Sequence, residues 1–158
     1  MVNLGKKFEE IIKRDFSLLD ESKITRLYDP TGGYIGIKNV CDFIAYKYPN
    51  AFYFEAKETK ANTFNFKQLR QYEELCKYTG IKGLHPGVLI WFSTHNKIVW
   101  VDISWIKFLQ TNGYKSVNIN DEFTYDFELE IEVARKYPKI NFDKFIEQIN
   151  IKNCEGLV

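Results

Sequence analysis

Three charged residues have the types and spacing for phosphodiester chemistry: Asp42, then Glu55 and Lys57 within FEAKET (54–59). If residues 51–57 are a strand, its period of two puts Glu55 and Lys57 on one face, with Cα atoms about 6.5–7 Å apart. A hairpin turning at Pro49–Asn50 would bring Asp42 within a diagonal or two of Glu55. Two carboxylates at that separation suit a hard divalent cation such as Mg²⁺ or Mn²⁺, which completes its shell with water and phosphate oxygens. The ammonium of Lys57 would hold an attacking water and offset charge in the transition state. A Glu-x-Lys pair taken alone is more often a solvated strand face with a weak ion pair. The upstream aspartate and the apolar neighbours Phe43, Ile44, Phe52 and Phe54 favour the chemical reading, because they put these strands inside a sheet.

The elements that must position these groups follow from periodicity. Leu4, Phe8, Ile11, Ile12, Phe16 and Leu19 predict a helix over 3–19 with Asn3 as its cap. A short strand is expected from Ile24 to Tyr28, and its Pro and paired Gly make 29–36 a loop. Residues 39–48 and 51–57 read as a hairpin. A helix is expected over 66–79, with Lys67, Arg70 and Lys77 on one face. The apolar run 87–93 reads as a strand covered on both faces, followed by a strand over 97–103. Ser104 is expected to cap a helix ending at Gly113, with Asp102 also read as a cap. Phe142, Phe145, Ile146 and Ile149 mark a last helix. The segment 51–93 has the length of a parallel, right-handed crossover, so the class is α/β, a mixed sheet flanked by helices. The acids at 121–132 alternate with apolar residues, as on an exposed edge strand. His85 and His95 read as surface loop residues, and Trp91, Trp100 and Trp105 as core.

Composition narrows the class. At 158 residues, 45% apolar and 16% aromatic, one domain with a real core is expected, and disorder is excluded. No apolar run is long enough for a membrane span, and no secretory signal is visible. Three scattered cysteines fit neither a disulfide framework nor a zinc site, so a cytoplasmic location is expected. The net charge is only +1. Residues 1–82 nevertheless hold 14 Lys and Arg against 11 Asp and Glu, so an anionic partner should meet the first half of the chain.

Taken together, GKKFE (5–9), Asp42, FEAKET, QYEEL (71–75) and YPKINFDKFIEQI (137–149) resemble the RecU-type Holliday junction resolvases of the PD-(D/E)xK nuclease superfamily. The resemblance implies a restriction-endonuclease-like core and a single nuclease domain over 1–158: helix 3–19, catalytic core 22–113 and tail 114–158. It implies that Asp42 and Glu55 ligate metal, that Lys57 is the catalytic lysine, that Gln71 helps organise the metal site, and that Glu9 is an accessory. The family's stalk between the first helix and the motif aspartate is shortened here to residues 20–41. Lys60, Lys67 and Arg70 would grip phosphates beside the site. Tyr34 would stack on a base at the junction. The expected partners are four-way or otherwise branched DNA and, because two symmetric strands must be cut, a second copy of the chain. The rival readings are a nuclease of the superfamily acting on other branched or linear DNA, a catalytically silent DNA-binding module and, last, a structural interaction domain.

Overall fold

The computed structural model describes residues 1–28, 39–133 and 136–155. Helix α1 (Leu4–Phe16) begins where the Asn3 side chain accepts from the Lys6 N–H, and it buries Phe8, Ile11, Ile12 and Phe16. It is followed by β1 (Ser22–Arg26), β2 (Phe43–Lys47) and β3 (Asn50–Thr59). The β2–β3 turn is Tyr48–Pro49, because Lys47 already pairs with Asn50. Next come β4 (Thr63–Asn65), the short helix α2 (Tyr72–Cys76), β5 (Leu84–Phe92), β6 (Lys97–Asp102) and α3 (Ile103–Thr111). The chain closes with β7 (Ser116–Asn118), β8 (Phe127–Glu128), β9 (Ile131–Glu132), β10 (Lys139–Ile140) and α4 (Phe142–Glu155).

Six strands form one sheet in the order β1-β2-β3-β5-β6-β8. Only β3 and β5 run parallel; every other neighbour is antiparallel. The crossover over 51–93 is therefore present. Val88 to Phe92 are all buried, as a strand covered on both faces requires. On one face α1 and α4 pack Phe8, Ile12, Phe16 and Phe145 against Phe52, Phe54, Leu89 and Trp100. On the other, Leu75 of α2 and Ile103, Ile106 and Leu109 of α3 pack with Val88, Ile90 and Val101. Gly87 is needed for the first layer, since a Cβ there would lie 2.4 Å from the Trp100 ring.

Several expectations are corrected. The helix expected over 66–79 is broken. A 3-10 turn at Phe66–Gln68 is capped by Asn65, Leu69 is extended, and only Tyr72–Cys76 is α-helical. The break comes at Gln71, whose backbone N–H is bound to the Glu55 carboxylate. Lys67, Arg70 and Lys77 therefore share no helical face, and Lys77 pairs with Glu74. Asp102, not Ser104, caps α3 by accepting from the Ser104 N–H. His85 lies inside β5, stacked on Phe52 and bonded to Asn50. Burial pushes its pKa down to about 4, so it is neutral. Trp105 is only half-buried and stacks on the exposed Phe108. The acidic segment 121–132 is not one edge strand. Asp121 caps a 3-10 turn at Glu122–Thr124, and Asp126 turns inward to accept from the Asp102 N–H and pair with Lys152.

Candidate active site

Asp42 immediately precedes β2, yet it is fixed as firmly as a strand residue. Its N–H donates to Phe54 O and its carbonyl accepts from Leu27 N–H. Phe43 pairs with Phe54, and the Asp42 N–H is bonded to Phe54 O, so Asp42 lies just outside the regular register, beside the stretch of β3 that carries Glu55. The Asp42 Oδ2 accepts from the Ala56 N–H at 3.1 Å, which aims the carboxylate at the middle of β3. Two residues on, Lys57 shares the Glu55 face of β3 and is half-buried.

Glu55 is 1% exposed. Its Oε1 accepts from Gln71 N–H at 3.2 Å, while Oε2 is buried with no hydrogen-bond partner. Burial is the main cause that pushes its pKa up, to about 7; Asp42 adds to the rise, and Lys57, the Gln71 N–H and Arg70 oppose it. Gln71 donates through Nε2 to Asn39 O at 2.9 Å, and its Oε1 is likewise buried and unpartnered. The neighbouring Cys41 is no rival nucleophile. Burial, with Asp42 nearby, pushes its thiol up to about 12, and Sγ donates to Phe43 O.

Two orphaned acceptor oxygens, on residues joined by a hydrogen bond, lie in a site where the charge of the largely buried Asp42 carboxylate is felt at Glu55; as ligands these groups would be oxygen-only. A buried acceptor without a donor costs on the order of 1–3 kcal/mol, and a cation would remove that cost. Hard oxygens with no sulfur or imidazole suit Mg²⁺ or Mn²⁺, which need only one or two carboxylates. Among the described residues no group of three or more His, Cys, Asp or Glu is placed to hold a metal, so a cation here would rest on two carboxylates and an amide.

Arg26, at the end of β1, joins the site although nothing in the sequence marks it. It holds Glu9 in a two-pronged pair at 3.1 Å through Nε and Nη2. Its Nη1 donates to Leu27 O and Asp42 O and lies 3.9 Å from Asp42 Oδ1. Glu9 thus reaches the site only through Arg26. A lone arginine in a short strand carries no signal, and its partner Glu9 lies 17 residues away.

The expected phosphate-gripping residues separate. Arg70 is exposed, and its charge is felt at Glu55. Lys67 is exposed on the 3-10 turn. Lys60 lies beyond the end of β3 and lines a different cleft with Thr94 and Lys136. Tyr34 and the loop at 29–36 lie outside the described residues.

In fold, the chain is similar to Hjc of Archaeoglobus fulgidus, a Holliday junction resolvase from an archaeal hyperthermophile. The TM-score is 0.54 at 16% identity, over 80% of this chain and 95% of Hjc. The restriction-endonuclease-like architecture expected from the sequence is therefore present: a mixed central sheet with helices on both faces. No curated protein matches the sequence. The profile of the family described as Recombination protein U matches residues 5–148, nearly the whole chain and every element that builds the site, and the protein belongs to that family.

Proposed function

We propose that the protein is a divalent-metal-dependent DNA endonuclease that resolves Holliday junctions by phosphodiester hydrolysis. The observation that carries this reading is the pair of buried, unpartnered oxygens, Glu55 Oε2 and Gln71 Oε1, on residues joined by a hydrogen bond and with the Asp42 charge felt at Glu55, in a chain of the recombination protein U family. The likeness in fold to an archaeal junction resolvase supports the substrate class.

In this reading Asp42, Glu55 and Gln71 hold Mg²⁺ or Mn²⁺. The cation, when bound, would polarise the scissile phosphodiester and withdraw charge from its oxygens. Glu55 must give up its proton for this, and the nearby Lys57 and Arg70 charges favour that loss. Lys57 sits two residues from Glu55 on the same face, where its ammonium orients the attacking water and offsets charge developing on the phosphate. Arg26 is a positioning residue, tying the Asp42 backbone to Glu9. Arg70 and Lys67 grip flanking phosphates. Two copies related by a two-fold axis would present two sites to the two strands of a junction.

The test is strand cleavage of a synthetic four-way junction beside a linear duplex of the same sequence. Cutting of the junction with Mg²⁺ and none with EDTA is expected. Undiminished cutting in chelator would remove the metal from the mechanism. Equal cutting of both substrates would move the protein to the general nucleases of this fold.

A further inference from the structure

A second cleft, about 310 Å³, opens between α1 and β1, and of its lining only Arg26 and Glu9 enter the reading above. Lys6 and Lys13 line it from α1, Arg26 and Tyr28 from the other side. The two acids in its wall are already engaged: Glu9 by Arg26 and Glu10 by Lys7 at 3.5 Å. Lys6 and Lys13 are exposed and make no ion pair among the described residues, so the cleft carries uncompensated positive charge. They are seven residues apart on one helix, about 10 Å along its axis, close to three nucleotide rises of a DNA strand at ~3.4 Å each.

Tyr28 is 71% exposed. The Arg26 guanidinium lies over its ring, 5.0 Å from the centroid. That guanidinium is not free to swing, since Glu9 holds two of its nitrogens. The same Arg26 donates to the Asp42 carbonyl, so the cleft and the carboxylate site share a wall.

We infer that this cleft is a binding subsite for the DNA strand flanking the scissile phosphate. Lys6 and Lys13 contact its backbone phosphates, and Tyr28 stacks on an unpaired base. The inference rests on the nuclease reading above and extends it to substrate choice. Bases within a duplex are covered on both faces by their neighbours, so a tyrosine can stack only on a base with a free face. A branch point offers one and a continuous duplex does not. The metal site reads only a phosphodiester, whereas this cleft distinguishes branched from linear DNA.

The experiment is equilibrium binding of the full chain, in Ca²⁺, to two labelled probes: a junction with one unpaired nucleotide at its centre, and a relaxed, covalently closed duplex circle, which has no ends and so no free base face. Affinities are measured across a salt series. Lys6→Ala and Lys13→Ala are each expected to lower the slope of log affinity against log salt by about one on both probes. Lys144→Ala, on α4 and paired with Glu147, should leave the slope unchanged. Tyr28→Ala should weaken the branched probe about five- to tenfold and leave the duplex circle as it was, while Tyr28→Phe keeps both. Wild-type slopes in the lysine variants, or equal effects of Tyr28→Ala on the two probes, would overturn the cleft assignment and leave the nuclease reading standing. Failure of the wild-type protein to bind either probe would remove both.

Discussion

Glu55 holds a carboxyl group where the protein without a cation cannot easily ionise it, and this has a measurable sign. Its folded pKa is raised from the ordinary value to about 7, so between those limits the folded state binds more protons than the unfolded state. Its contribution to stability is therefore present at low pH and lost as pH rises toward 7. In EDTA, Glu55→Gln should flatten this part of the urea-unfolding profile and be the more stable protein above pH 7. His85 acts in the opposite sense: its lowered pKa costs stability as pH falls below its ordinary value. Only the difference between wild type and Glu55→Gln isolates the carboxylate. A wild-type slope in the variant would mean that Glu55 is not the group responsible. Lys57→Ala should lose turnover by at least about a hundredfold and still bind DNA, because its charge acts mainly on the transition state. Near wild-type turnover in a folded Lys57→Ala protein would displace the site.

At the scale of elements, the site depends on joints that are partly polar. Asp15, buried at the end of α1, accepts from the Ile140 N–H at 2.9 Å and pairs with Arg14. Asp15→Ala leaves that N–H buried without an acceptor and should cost about 1–3 kcal/mol in urea unfolding, with Asp15→Asn costing less. Equal stability of wild type and Asp15→Ala would show that the joint between α1 and β10 is not held by this contact. The β2–β3 hairpin and the crossover to β5 were legible because a period of two and an unbroken apolar run reflect burial directly. The stretch 66–79 was not. Leu69, Tyr72 and Cys76 do have helical spacing, but a contact 16 residues away, Glu55 to the Gln71 N–H, decides the backbone there. Arg26 was invisible for the same reason, since its function comes from a long-range pairing with Glu9. His85 has the sequence signature of a loop residue because Pro86 and Gly87 look like a turn. In the fold both belong to β5, where Gly87 makes room for Trp100.

For the whole molecule, charge is distributed rather than excessive. The net charge is +1, so affinity for DNA must come from local cations. Arg70→Ala and Lys67→Ala should each flatten the salt dependence of junction binding by about one unit of slope, and Lys136→Ala should not. Identical slopes for all three variants would place the phosphate-gripping face elsewhere. Light scattering at micromolar concentration should give twice the monomer mass, as two coordinated cuts require. A monomer would contradict the symmetric arrangement. No helix among the described residues is long and apolar enough to cross a membrane. Periodicity and the length of the crossover foresaw the α/β class, and strand and hairpin spacing foresaw Asp42, Glu55 and Lys57 as neighbours, whereas Gln71 was legible only through the family resemblance.

The proposed metal centre is tested most directly by anomalous scattering from a crystal of the protein grown with Mn²⁺. One strong peak is expected within coordination distance of Glu55 Oε2, Gln71 Oε1 and the Asp42 carboxylate, and it should be absent from an Asp42→Ala crystal grown in the same way. Full Mn²⁺ occupancy elsewhere, with Glu55 Oε2 and Gln71 Oε1 still unpartnered, would contradict the proposed metal-dependent mechanism.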